Sequence, residues 1–171
     1  MIKLVSLNSK YLKKIEITEI CKLKNIHWKF GLKSNLEWFK KNVKKTDLHN
    51  LLYLNKELIG YTLLRKRLAV IKNKKKKYLY FDTLIIKDKF RRLGYSKILM
   101  DFNNKVIKKK KLHSFLICYK KLVKFYKKFG WTKSKEKKFE IMDFKFFTNG
   151  MTFNKKKELK NLKIEDYFFK Q

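Results

Sequence analysis

Arginine is nearly missing from this chain: of 47 basic residues only four are Arg, set against 14 acidic residues and a formal charge of +33. Charge of that size invites a nucleic-acid, ribosomal or anionic-membrane reading. The scarcity of Arg argues against it, because bidentate contacts to phosphate and guanine favour the guanidinium. Proline is absent, alanine occurs once, as Ala69, and residues with A/T-rich codons dominate, so codon drift accounts for a lysine-coated surface. Cys21 and Cys118 are too few for a disulfide framework and lack CxxC spacing, and His27, His49 and His113 fall at no metal-ligand interval. Neither a structural zinc nor a stapled fold is expected. No window approaches eighteen apolar residues, and the first residues lack the layout of a secretory signal, so a cytoplasmic chain without a membrane span is expected. The sequence assigns no oligomeric state.

What is present suffices for one domain: 171 residues, 44% hydrophobic and 16% aromatic, without repeat or Gly/Ser linker. "MIKLVSL" reads as an opening strand. Leu12, Ile15, Ile20, Leu23 and Ile26 recur at helical intervals, and Ser34 with Glu37 forms a capping box heading a second helix that buries Leu36, Phe39 and Val43. "NLLYL" and "LIGYTLL" form a hairpin, and "KNKKKK" at 72–77 is a solvated turn. "YLYFDTLII" at 78–86 has the near-continuous apolar character of a central strand. A helix with Ile98, Leu99, Phe102, Val106 and Ile107 on one stripe follows. Next come a strand "SFLICY", a short helix "LVKFYKKF" closed by Gly130, last strands in "WTKSK" and "FEIMDFKFF", and a polar tail. The order predicts an α/β (α+β) fold, a domain over 1–153 and a basic tail over 154–171.

Half of the arginine sits in one dipeptide, Arg91-Arg92, directly before Leu93-Gly94 at the junction of that central strand with a helix. The first N–H groups of a helix have no intrahelical partner, and the dipole adds positive charge there. Glycine at 94 lets backbone approach an anion closely, and the arginines supply charge-assisted hydrogen bonds. A phosphate-bearing ligand is therefore expected on this turn, although neither GxxxxGK[ST] nor GxGxxG is present.

The strand end Leu84-Ile85-Ile86, the loop Arg91-Arg92-Leu93-Gly94-Tyr95-Ser96 and the downstream "KFYKKFGW" at 124–131 together resemble the GNAT superfamily of acyl-CoA-dependent N-acyltransferases. The resemblance covers residues 1 to about 153. Ser96 and Tyr119 depart from its usual pattern, the latter standing where many members have asparagine. It implies a mixed, mostly antiparallel sheet with helices on both faces and two splayed central strands. It implies too that acetyl-CoA is the co-substrate and a primary amine of a small molecule the acceptor, by direct transfer. Leu84, Ile85 and Ile86 would align the pantetheine arm as an added strand does. Residues Arg91, Arg92, Leu93, Gly94, Tyr95, Ser96 and Lys97 would bind the pyrophosphate, and Tyr126 would protonate the leaving thiolate. Apart from the resemblance, Tyr126 reads more readily as a packing residue beside Phe125 and Phe129. For the base, Asp82 is the first candidate and His113 the second, with strand-end capping the alternative for Asp82; Asp47 and His49 are assigned no role. The charge disfavours a polycationic acceptor. Two other classes stay open, a basic nucleic-acid- or ribosome-associated module and a catalytically degenerate CoA-binding fold.

Overall fold

The computed structural model describes residues 1–71, 74–133, 139–141, 144–146 and 149–154. In chain order the elements are β1 (Ile2–Asn8), α1 (Lys14–His27), α2 (Leu32–Asn42), β2 (Leu48–Leu54), β3 (Glu57–Ile71) and β4 (Lys74–Ile86). They continue with α3 (Tyr95–Lys109), β5 (Ser114–Cys118), α4 (Val123–Lys127), β6 (Thr132–Lys133), β7 (Phe139–Ile141), β8 (Phe144–Phe146) and β9 (Asn149–Phe153). Seven strands form one mixed sheet in the order β1-β2-β3-β4-β5-β9-β6, and β7 with β8 make a separate antiparallel hairpin. The pairs β1/β2, β2/β3, β5/β9 and β6/β9 are antiparallel, whereas β4 and β5 run parallel. The expected mixed, mostly antiparallel α/β class is what the chain adopts. Contacts divide it into two compact units, residues 1–65 with 82–103 and residues 66–81 with 104–171.

In the first unit, β2 buries five successive residues, as a strand covered on both faces does. Its hairpin to β3 turns on Asn55 and Lys56, both at positive φ (48° and 69°), the backbone that two-residue hairpins use. Ile20, Leu23, Phe39, Leu51, Tyr61, Leu63 and Ile85 pack one core, each burial contributing roughly 1.5–3 kcal/mol before chain entropy is counted. A second core joins Leu52, Ile59, Ile86 and Leu99. Gly60 makes that packing feasible, since a Cβ there would meet Ile86 Cδ1 at 2.8 Å and Leu99 Cδ2 at 3.1 Å. Deeper still, Asn50 donates to Thr62 Oγ1 and to Asn103 Oδ1 (3.0 and 2.9 Å), closing a polar triangle between the sheet and α3.

In the second unit, β4 and β5 share two ladder pairs, Leu79↔Ser114 and Tyr80↔Phe115, and Ser114 Oγ locks the register by donating to Leu79 O at 2.7 Å. Trp131 is the largest fully buried side chain, stacked on Phe153 at 5.3 Å with its indole N–H donating to Asn104 Oδ1 at 3.1 Å.

Several sequence expectations change. Ile15 lies 68% exposed, so the α1 stripe runs through Ile20, Leu23 and Ile26 without it. α2 begins at Leu32, two residues before Ser34, because Asn25 and Asn35 clamp Gly31: Asn25 Oδ1 accepts from Gly31 N and Asn35 Nδ2 donates to Gly31 O, both at 2.9 Å. The back-reaching glutamate stands instead at α1, where Glu16 Oε2 accepts from Lys13 N at 2.7 Å. Lys74–Lys77 belong to β4, where Lys76 and Lys77 are exposed; residues 72–73 lie outside the described residues. β9 was hidden in "NGMTF", which has a glycine and no clear alternation, yet it lies between β5 and β6. The tail from 155 onward also lies outside the described residues.

Candidate active site

The turn between β4 and α3 is built in three steps. Ile85 and Ile86 bury their side chains in the two cores of the first unit, and Leu84 packs on the second, which fixes the backbone at the end of β4. Lys87 N donates to Ile59 O at 2.8 Å, and a single 3₁₀ turn over Asp88–Phe90 reverses the chain. Arg92 and Gly94 then take positive φ (63° and 84°), and α3 starts at Tyr95. Lys97 N and Ile98 N both donate to Gly94 O (2.9 and 3.3 Å), so Gly94 is the cap residue, and the N–H groups of Tyr95 and Ser96 lie in the first turn, which has no intrahelical acceptors. A Cβ built on Gly94 meets nothing within 4 Å, which leaves open space over the turn. Tyr95 stacks edge-on against Phe90 at 5.9 Å and ties the helix start to the 3₁₀ turn.

The three cations of the turn are not equivalent. Arg91 is spent on the turn itself, with Nη2 on Asp88 Oδ1 at 2.8 Å and Nε on Ile86 O at 3.2 Å. Lys97 pairs with Asp101 at 2.9 Å. Arg92 alone of the three has no ion pair or hydrogen bond among the described residues. Leu93, Arg92 and Gly94 are all exposed.

Asp82 stands four residues before Ile86 on β4. Arg65 Nη1 lies 3.7 Å from its Oδ2, and Arg65 Nη2 donates to Asn42 O at 3.0 Å. With Thr83 it lines a cavity of about 410 Å³ whose other walls are Lys24, Trp28, Phe30, Ser34, Asn35 and Trp38. Lys24 is 6% exposed, with Nζ 3.5 Å from the Trp38 ring centroid and 5.6 Å from that of Trp28. Burial lowers its proton affinity below the usual lysine value, Arg65 adding to the effect while Asp82 and Cys21 oppose it. None of the α1 and α2 residues in this cavity was found from sequence. Among 43 lysines Lys24 carries no signal; the two tryptophans, from a total of three, were the usable sign.

His49, given no role from the sequence, is fully buried in the first unit. Its Nε2 lies 2.7 Å from Ser9 Oγ and its Nδ1 2.8 Å from Tyr61 Oη, with Phe39 stacked on the ring. Burial pushes its pKa down to about 4, Lys24 working in the same direction and Asp47 against it. Asp47 itself caps Lys44 N at 3.0 Å.

Tyr126 belongs to the second unit, on a helix of five residues closed by Gly130 at φ +77°. It is 8% exposed, edge-on to Phe81 (6.1 Å) and Phe125 (5.1 Å) and tilted on Trp131 (6.2 Å). Its carbonyl accepts from Phe129 N at 3.0 Å and Trp131 N at 3.3 Å, which folds "FGW" back onto the helix. Burial, with a smaller contribution from the Cys118 thiol, raises the phenol well above the usual tyrosine value, so it stays protonated. His113 is buried and stacked on Tyr78 at 5.8 Å.

Among the described residues no helix is long and apolar enough to cross a membrane, and no cluster of three or more His, Cys, Asp or Glu could hold a metal. No curated protein matches the sequence. The fold is shared with the crystal structure of Escherichia coli ElaA at a TM-score of 0.67 and 18% identity, over 89% of this chain and 99% of that one. It is shared too with an aminoglycoside 6'-N-acetyltransferase complexed with coenzyme A (TM-score 0.65, 10% identity, 87% and 96% covered). A third is the ribosomal-protein-S18-alanine N-acetyltransferase of Escherichia coli (TM-score 0.61, 11% identity, 89% and 91% covered). Residues 27–151 match the acetyltransferase (GNAT) domain model, a span that takes in the glycine turn, the Tyr126 helix and every wall of the cavity except Lys24. The chain thus belongs to the GNAT acetyltransferase family, whose members move an acyl group from coenzyme A to an amine.

Proposed function

We propose that the protein is an acetyl-CoA-dependent N-acetyltransferase that modifies a primary amine of a small molecule held in the Lys24–Asp82 cavity. The observation that carries this reading is the turn at 91–97, where open space at Gly94, the first-turn N–H groups of α3 and an unspent Arg92 belong to one short exposed segment. These groups bind the pyrophosphate, and the backbone of Leu84–Ile86 carries the pantetheine arm.

The chemistry requires a neutral amine, and deprotonating an ammonium of pKa near ~10.4 at pH 7 costs about 4–5 kcal/mol. Asp82 takes that proton, Arg65 offsetting the cost of a carboxylate in a partly dry site. The amine nitrogen attacks the thioester carbon, a C–N bond forms, and the C–S bond breaks. The leaving thiolate takes up a proton, for which the family resemblance assigns Tyr126, a phenol that burial keeps protonated.

Calorimetry with acetyl-CoA, followed by an amine panel read through thiol release, tests the whole reading. Gly94→Trp fills the open space and is expected to lower CoA affinity by more than ~100-fold. The side chain at positive φ strains the turn by about 1–2 kcal/mol and leaves the fold standing. Unchanged affinity in that variant places the cofactor elsewhere. Acetyl-CoA binding without turnover on any amine leaves a CoA-binding fold and no enzyme.

A further inference from the structure

Lys24 is the only buried lysine among the described side chains of a chain that otherwise wears its lysines outside. Holding an ammonium in a dry site without an anion costs several kcal/mol, so such residues are paired in most proteins. Here Lys24 Nζ lies against indole faces, at 3.5 and 5.6 Å, and among the described residues no carboxylate or carbonyl is hydrogen-bonded or ion-paired to it, although the Asp82 charge is felt there. Asp82 lines the same cavity and is held by Arg65 instead. The cavity lining therefore combines an ammonium without an ion pair among the described residues, a carboxylate held by a second cation, and three aromatic side chains. Counting Lys24 and Arg65 against Asp82, the site carries one surplus positive charge.

We propose that the acceptor is an amino carboxylate with an apolar or aromatic side chain, its carboxylate on Lys24, its amino group toward Asp82 and its side chain against Trp28, Phe30 and Trp38. The inference rests on reading this cavity as the acceptor site. A polyamine or aminoglycoside meets net repulsion from the two cations. A phosphate dianion meets one free ammonium and a carboxylate in the same space, an unfavourable pairing. A zwitterion matches both charges at once, and the flat walls contribute stacking beyond area burial.

The test is calorimetric titration of the full chain, without CoA, using L-phenylalanine and L-leucine beside their decarboxylated amines, 2-phenylethylamine and 3-methylbutylamine. The carboxylates are expected to bind at least ~10-fold more tightly. Lys24→Met is expected to abolish the preference and Lys24→Arg to keep it, with melting curves showing both folded. Equal or tighter binding of the decarboxylated amines overturns the proposal, as does a preference that survives in Lys24→Met. If Lys24→Met does not fold, the wild-type pairs decide by themselves. Thiol release with acetyl-CoA separates the two readings. Carboxylate preference without turnover sinks acyl transfer and spares the binding site, whereas turnover that favours the decarboxylated amines sinks this substrate class and spares the enzyme.

Discussion

The two units bury opposite kinds of side chain around their functional residues. The first holds charge and polarity inside: Lys24 and Arg65 are under a tenth exposed, and His49, Asn50 and Asp47 are fully buried. The second surrounds Tyr126 with Phe81, Phe125, Trp131 and Phe153, with one asparagine, Asn104, serving the indole. Desolvation acts on both and drives each group toward its neutral form, Lys24 and His49 downward and Tyr126 upward. The lesson is that one physical effect, desolvation, moves bases and acids in opposite directions.

The sharpest way to break the contrast is Tyr126→Phe. It keeps the ring and its packing and removes only the proton donor, so turnover should fall by about 10²–10³-fold while CoA affinity and melting temperature hold. An unperturbed phenol would also give an alkaline limb near ~10. Burial moves that limb higher, so wild-type activity should persist through pH 10 before any loss assignable to Tyr126. Steady-state rates across pH for both proteins check this; full activity in the Phe variant assigns the tyrosine to packing alone.

A smaller effect sharpens the polar side of the comparison. His49 has a folded pKa near 4 against ~6.5 when unfolded, so between those values the unfolded chain binds the extra proton. Stability is full above pH ~6.5, declines as pH falls toward 4 and levels off below, a loss of about 3 kcal/mol from this residue. Urea unfolding at pH 7, 5.5 and 4 should show that slope in wild type and a flatter one in His49→Gln, whose stability at pH 7 is lower because Ser9 and Tyr61 lose their partner.

The smallest effect divides the arginine pair. Arg92→Ala should weaken CoA binding by about 1–3 kcal/mol without changing the melting temperature. Arg91→Ala should weaken it less and cost the fold under ~1 kcal/mol, since its exposed pair with Asp88 is screened. Equal losses of CoA affinity would mean that Arg91 leaves Asp88 for the ligand.

The central strand, the glycine turn, the helix after it and the Tyr126 segment were readable because each rests on local rules: apolar continuity, a positive-φ residue at a helix start, a 3.6-residue stripe. The cavity was not, because its walls come from α1, α2 and β4, and nothing in "CKLKNIHWKF" or "SNLEWF" announces that Lys24 and Trp38 meet 3.5 Å apart. Sheet order was hidden for the same reason: β9 pairs on β5 and β6 across long sequence separations that no local pattern encodes.

By itself the sequence determined the element order over the apolar runs, the place of the glycine turn at Gly94 and the family that "RRLGYS" and "KFYKKFGW" together resemble. It determined these because backbone conformation and hydrophobic period act over a few residues. Tertiary structure alone decided that Lys24 is buried, that Arg91 is consumed by Asp88 while Arg92 is left over, and that Asp82 faces Arg65. A side chain's charge is written in its chemistry, but its proton affinity and its partner depend on the dielectric and the neighbours that only packing supplies.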